Sequence, residues 1–183
     1  NAYGSDMLKV AKKLESLNVD YFAVAYSFEG VKLRRNGITK PILVLIPQVE
    51  NIKEIVSNGL EPSLYSFYFL NHFISYLNEY SIKPFPCHFK INSGLNRVGF
   101  KSGEIDLAIS KIKNCEKIKL VSLYSHLAAS EDENEKEFTL TQINNFSKIA
   151  SEITAQIKSS PLLHMSNTSG ILNYPESEFD MVR

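Results

Sequence analysis

The sequence predicts an α/β fold: a TIM (β/α)8 barrel, incomplete, lacking its first strand. Three observations predict it. Short apolar strands alternate with helices every 20 to 30 residues or so along the 183-residue chain, the pattern of a parallel sheet covered on its outer face. Seven strands can be counted, and the opening turn NAYGSD leads straight into a helix that needs a strand before it, which makes eight. The alternative, a doubly wound open sheet, would be expected to show a Gly-rich phosphate loop, and neither G-x-G-x-x-G nor G-x-x-x-x-G-K-[ST] occurs. Such barrels usually run to about 250 residues, and the chain closes on FDMVR as if in mid-strand, so it reads as a fragment.

Each element follows from local pattern. Met7, Val10, Ala11, Leu14 and Leu17 recur at helical spacing, with Ser5 or Asp6 as the cap. A strand at 21–25 leads to a helix at 28–37 that stops at Gly37, a residue suited to the position after a helix end. The strand at 41–45 is followed by a helix at 51–59, stopped by Gly59. The stretch 61–67 is strand-like and 68–80 is an amphipathic helix. A strand at 87–91 and a helix at 103–114 come next, then a strand at 119–127. A charged loop at 130–137 leads into a long helix from Phe138 to Lys158. The strand at 162–165, a helical turn at 169–174 and the start of a strand at 179–183 complete the chain. No internal repeat or interdomain linker interrupts residues 1–183, so they read as one partial domain.

Composition excludes some functions. Twenty Lys+Arg balance twenty Asp+Glu, which argues against nucleic acid and membrane surfaces as partners. No apolar run approaches the ~18 residues of a membrane span. Cys87 and Cys115 lie far apart without metal spacing and read as reduced thiols of a cytoplasmic protein.

In a barrel of this kind, function lies beyond the C-terminal ends of the strands. Those ends deliver Tyr3, Lys90 followed by Arg97, then His126, then Ser166, Asn167 and Thr168, and last Arg183. Hydroxyls beside a short helix start suit a phosphate. The set holds no carboxylate pair for glycoside hydrolysis and no zinc cluster. His72 reads as a surface or packing residue and His164 as structural. His88 neighbours Cys87 in a strand, so the two face opposite ways and share no site.

These residues carry a resemblance. NAYG, DYFAVAYSFEGVKLRRNGITKPILVL, KINSGLNRVGF, LYSHLAASED, HMSNTSGI and FDMVR occur in the order found in the barrel domain of the alanine racemase family, pyridoxal phosphate enzymes of fold type III. The resemblance covers essentially the whole chain. VDYFAVAY and SHLAASED look most like Bacteroidetes-type members. The family motif Lys-Ala-Asn-Ala-Tyr-Gly-His-Gly matches from Asn1 onward, so its Schiff-base lysine falls two residues before the chain. The family's second base, a tyrosine of a C-terminal β domain reaching across a homodimer, is absent too. The resemblance implies that Tyr3 and Thr168 bind the cofactor phosphate, and that Asn167 and Leu45 line the cofactor. It implies that Arg97 reaches the phenolic oxygen and the substrate carboxylate, braced by Lys90, a lysine carbamylated in some members. His126 would relay between the catalytic tyrosine and Arg183, which faces the ring nitrogen. Departures are GSD for Gly-His-Gly, Asn92 for an aspartate and Thr168 for a serine.

The activity implied is interconversion of L-alanine and D-alanine for peptidoglycan synthesis. The 183 residues alone are expected to be inactive, having neither base. Two alternatives stay open: a non-catalytic pyridoxal phosphate homeostasis protein with the same barrel, and a racemase or decarboxylase with another amino-acid substrate.

Overall fold

Six strands pair side by side, all parallel, in chain order: β1 (Phe22–Val24), β2 (Ile42–Val44), β3 (Glu61–Leu64), β4 (Phe85–Lys90), β5 (Ile118–Tyr124) and β6 (Leu162–His164). The computed structural model describes residues 2–80, 83–157 and 159–183. Strictly sequential parallel order means that every connection crosses over through a helix, and the sheet curls into part of a (β/α)8 barrel. The seventh strand is reduced to one parallel bridge, His164 to Met181. Asn1 and Lys158, the expected start of the opening turn and end of the long helix, lie outside the described residues.

The helices are α1 (Met7–Ser16), α2 (Ser27–Arg35), α3 (Ile52–Ser57), α4 (Phe67–Glu79), α5 (Ile105–Lys113), α6 (Lys136–Gln156) and α7 (Thr168–Asn173). Asp6, not Ser5, caps α1, its carboxylate accepting from Leu8 N–H (3.0 Å) and Lys9 N–H (3.1 Å). Glu29, in the first turn of α2, reaches back to accept from Ala25 and Tyr26 N–H. That helix stops where Gly37 takes φ +90°. Helix α4 begins at Phe67 because Ser66 accepts from Phe69 N–H (3.2 Å), which ends the strand-like stretch at Leu64.

The core lies where the helices cover the sheet. Phe69, Leu70, Phe73 and Leu77 of α4 are buried, as are Ile105, Ala108, Ile109 and Ile112 of α5. Phe89 of β4 stacks on Phe100, ring centres 4.8 Å apart. Burying one such ring stabilises the fold by ~2 kcal/mol or more. Cys87 and Cys115 are buried free thiols, and burial pushes the Cys87 thiol up, away from the reactive thiolate.

One irregularity matters for the site. Strands β4 and β5 pair in step from Phe85–Ile118 to Cys87–Leu120, then skip Val121, so that His88 pairs with Ser122 and Lys90 with Tyr124.

Candidate functional site

The C-terminal ends of β4 and β5 set the two central groups side by side. Lys90 ends β4, is 4% exposed, and carries its Nζ 4.5 Å from the centre of the Tyr124 ring at the end of β5. The loop after β4 folds back through an Ile91–Phe100 bridge. There Gly99 takes φ +117°, and a Cβ on it would come within 2.8 Å of Lys90 Cγ. Only glycine fits that close approach to the lysine stem. Burial, then Arg183 and Arg97, hold the Lys90 ammonium well below its usual range. The Tyr124 hydroxyl donates to Ser63 Oγ (2.7 Å), and burial pushes it up to about 12.

His126 follows β5. Its Nδ1 accepts from Arg183 Nη2 at 3.0 Å. Arginine only donates, so the neutral ring carries its proton on Nε2. Burial first, then Arg183, Lys90 and Arg97, push the ring down to about 4. Gln142 of α6 pins this loop from behind, its Nε2 donating to His126 O and its Oε1 accepting from Ala128 N–H, both at 3.0 Å. Gln142 is 1% exposed.

Arg183 sits beyond the Met181 bridge, and burial lowers its pKa. Its N–H donates to Ser166 O (3.2 Å), tying it to the turn that carries Asn167 and Thr168. Asn167 Oδ1 caps α7, accepting from Gly170 N–H and Ser130 Oγ, both at 2.8 Å. Thr168 is the first residue of α7 and is exposed. Arg97 is exposed, on a loop shaped by Asn92, whose Oδ1 accepts from Asn96 N–H (3.0 Å) and Gly94 N–H (3.3 Å).

Tyr3, Leu45 and Arg183 line one cavity of about 690 Å³ between α1 and β1. The Tyr3 ring is fully exposed, on backbone in the left-handed region (φ 57°). The structure therefore brings Lys90, His126 and Arg183 into one group, with Arg97 near enough to act on Lys90 and His126 electrostatically. Among the described residues no carboxylate pairs with Lys90, Arg97 or Arg183. Such a rim attracts anions. Tyr124 and Gln142 belong to the site's support, and sequence reasoning misses both. A tyrosine within an apolar strand and a glutamine on a helix give no signal of their own.

Among the described residues no helix is long and apolar enough to cross a membrane, and no group of His, Cys, Asp and Glu could hold a metal ion. The chain is 33% identical over 186 residues to the alanine racemase of Treponema denticola, covering 100% of this chain and 49% of that protein. It is 33% identical to the serine/alanine racemase of Enterococcus gallinarum, covering 100% of this chain and 26% of that one. In structure it matches the alanine racemase of Clostridium difficile 630 in complex with cycloserine, with TM-score 0.92 and 32% identity, over 100% of this chain and 50% of that chain. The chain thus spans about half the length, or less, of the curated relatives it matches. The family model for the alanine racemase N-terminal domain matches residues 1–183, and with that fold, that rim and those relatives the chain belongs to the alanine racemase family.

Proposed function

We propose that the protein carrying this chain interconverts L-alanine and D-alanine, with pyridoxal 5'-phosphate as cofactor, and so supplies D-alanine for peptidoglycan. The observation that carries the reading is the set of cations at the strand ends, Lys90, Arg97 and Arg183, which no carboxylate among the described residues neutralises. The residues fit an anionic, planar cofactor. Arg183 Nε is a buried donor without a partner, and the neighbouring cavity of about 690 Å³ has an apolar wall that includes Leu45.

When bound, the cofactor supplies the electron sink that makes an amino-acid Cα acidic enough to exchange its proton. Arg183 offers the ring nitrogen a donor that keeps its proton. Neutral His126 orients Arg183 through Nδ1 and holds its own proton on Nε2, where a tyrosine base would meet it. Arg97 takes the substrate carboxylate and the phenolic oxygen in a forked grip. The hydroxyls of Tyr3 and Thr168, with Asn167 at the turn, hold the phosphate. The neutral amine that burial favours at Lys90 is the form that adds CO2. A new N–C bond forms, a proton leaves, and the resulting carbamate balances the charge of Arg97. In the whole protein the two bases would be a lysine and a tyrosine, the tyrosine reaching across a homodimer. The location is cytoplasmic. Affinity to Bacteroidetes-type members rests on residues 19–26 and 125–132 alone.

The test is formation of D-alanine from L-alanine by the intact protein with pyridoxal 5'-phosphate. Arg97→Ala is expected to lower kcat/KM by about 100-fold, the scale of one lost charged contact to the reacting group. Uptake of the cofactor without turnover of any amino acid would replace this reading with that of a homeostasis protein. The serine/alanine racemase among the relatives makes L-serine the second substrate to assay.

A further inference from the structure

Beneath the rim a line of polar side chains crosses four strands through the sheet's interior. Glu61 opens β3, and its Oε2 accepts from Tyr21 Oη (3.1 Å) and meets His88 Nε2 of β4 at 2.9 Å. His88 Nδ1 meets Ser122 Oγ of β5 at 2.6 Å, and Ser122 Oγ meets His164 Nε2 of β6 at 3.1 Å. His88, Ser122 and His164 are each at most 1% exposed. We propose that this chain, Glu61–His88–Ser122–His164, has a single polarity that fixes the proton of His164 on Nε2 and leaves its Nδ1 as a bare lone pair within electrostatic reach of Arg183. Glu61, His88 and Ser122 are then positioning residues for the site.

The polarity follows from counting hydrogens. Glu61 is a carboxylate and only accepts, so His88 Nε2 carries a proton and donates it. A neutral His88 then has a bare Nδ1, which must accept from the single hydroxyl hydrogen of Ser122. With that hydrogen used, Ser122 Oγ can only accept from His164, whose proton is therefore on Nε2. His164 Nδ1 is left bare, buried and without a partner, and Arg183 Nε is a buried donor without one. The Tyr124 ring lies flat on His164, 4.9 Å away and 4° from parallel, which holds the plane of the imidazole.

The opposite polarity requires a doubly protonated His88. Ser122 would then donate to His164 Nε2 and push the remaining His164 proton to Nδ1. The groups that act on that ring are Arg183, Lys90 and His88. All are donors or cations, so an Nδ1–H would have nothing to donate to. Only the first polarity sets a lone pair, rather than an N–H, within electrostatic reach of Arg183.

The bearing of this chain on catalysis rests on the proposed function, in which Arg183 faces the cofactor. The test therefore has two readouts. Nitrogen-15 NMR of the intact protein labelled at histidine, with ring-proton couplings, assigns the protonated nitrogen of each ring. His88 and His164 are each expected to carry one proton, on Nε2. Ser122→Ala is expected to leave His88 unchanged and turn His164 into a tautomer mixture, while Glu61→Leu disturbs both. A wild-type His164 with its proton on Nδ1, or a Ser122→Ala protein whose His164 stays wholly Nε2–H, overturns the inference. The wild-type spectrum decides the polarity even if neither variant folds. In a second readout, cofactor absorbance should give Ser122→Ala a pyridoxal 5'-phosphate Kd raised about fivefold, the weight of one hydrogen bond. An unchanged Kd in a folded variant with altered tautomers overturns the link to Arg183. If the wild-type protein takes up no pyridoxal 5'-phosphate yet shows the Nε2 tautomer, the functional reading fails and the polarity stands. If it takes up the cofactor with the His164 proton on Nδ1, the polarity fails and the functional reading stands.

Discussion

Two arginines at different places in the fold have opposite surroundings. Arg34, near the end of α2, donates to four backbone carbonyls: Asn58 (3.1 Å), Gly59 (3.1 Å), Ile38 (2.7 Å) and Lys40 (2.9 Å). Those carbonyls belong to the end of α3 and to the loop that enters β2, so the side chain ties together the ends of two helices. Arg183, at the C-terminal rim, makes one side-chain hydrogen bond, to a histidine, and keeps a buried Nε unpartnered. Its close neighbours include cations. The same chemical group is nearly saturated where the chain needs holding and left largely unsatisfied where a ligand is expected. A buried donor without a partner costs about 1–3 kcal/mol, and a site that must bind an anion can bear that cost.

The sharpest way to break the comparison is to delete both guanidinium groups in turn. Arg34→Ala is expected to lower the unfolding free energy in urea by about 3 kcal/mol, the weight of losing four charged hydrogen bonds, most of them part-buried. It should leave cofactor affinity within a factor of about two. Gln142→Ala, which frees the loop of His126, should cost about 2 kcal/mol, since it strands a carbonyl and an N–H of that loop. It should also lower kcat more than it raises KM. Arg183→Leu should change stability by less than about 1 kcal/mol in either direction, because the lost hydrogen bond is offset by relief of a buried cation. The same variant should weaken cofactor binding at least tenfold, which a titration followed by absorbance will read. Equal losses of stability from Arg34→Ala and Arg183→Leu would erase the distinction.

The smallest effect is one of pH. His126 is held at about 4 in the folded protein against an ordinary 6.5. Between those values the unfolded chain binds more protons at this residue than the native state does. The stability it contributes is present above about 6.5 and is lost as pH falls toward about 4. His164 is also held below its ordinary value and adds to the same trend. Midpoints of thermal unfolding should therefore drop across this window. Arg183→Leu should flatten the drop by letting His126 titrate higher, which the histidine NMR titration checks directly.

Much of this architecture is legible from residue pattern. Every strand counted from the sequence lies within a few residues of its place, since apolar runs between helix signals can be little else in a covered parallel sheet. The rule that function gathers at strand ends leads to His126 and Arg183, which hydrogen-bond, and to Lys90, near enough to act on both electrostatically. The expected strand at 61–67 is shorter because Ser66 caps the next helix, and the last strand is a single bridge. The interior chain is not legible. Local pattern sets His88 only against its neighbour Cys87, whereas its partners, Glu61 and Ser122, come from other strands. Which residues stand level across a sheet depends on register, and no local pattern states the register between β4 and β5.

That register has a consequence of its own. Because β5 spends one extra residue, Val121, between Leu120 and Ser122, everything after it is advanced by one step relative to β4. In an even ladder His88 would stand beside Val121 and Lys90 beside Leu123, and Ser122 and Tyr124 would pass to the opposite face. The extra residue acts as a vernier, a one-step offset that brings a serine, a tyrosine, a histidine and a lysine into phase at once. An even ladder that kept Val121 in step would take the interior chain and the Lys90–Tyr124 contact apart together, whereas deleting Val121 would leave His88 beside Ser122 and Lys90 beside Tyr124.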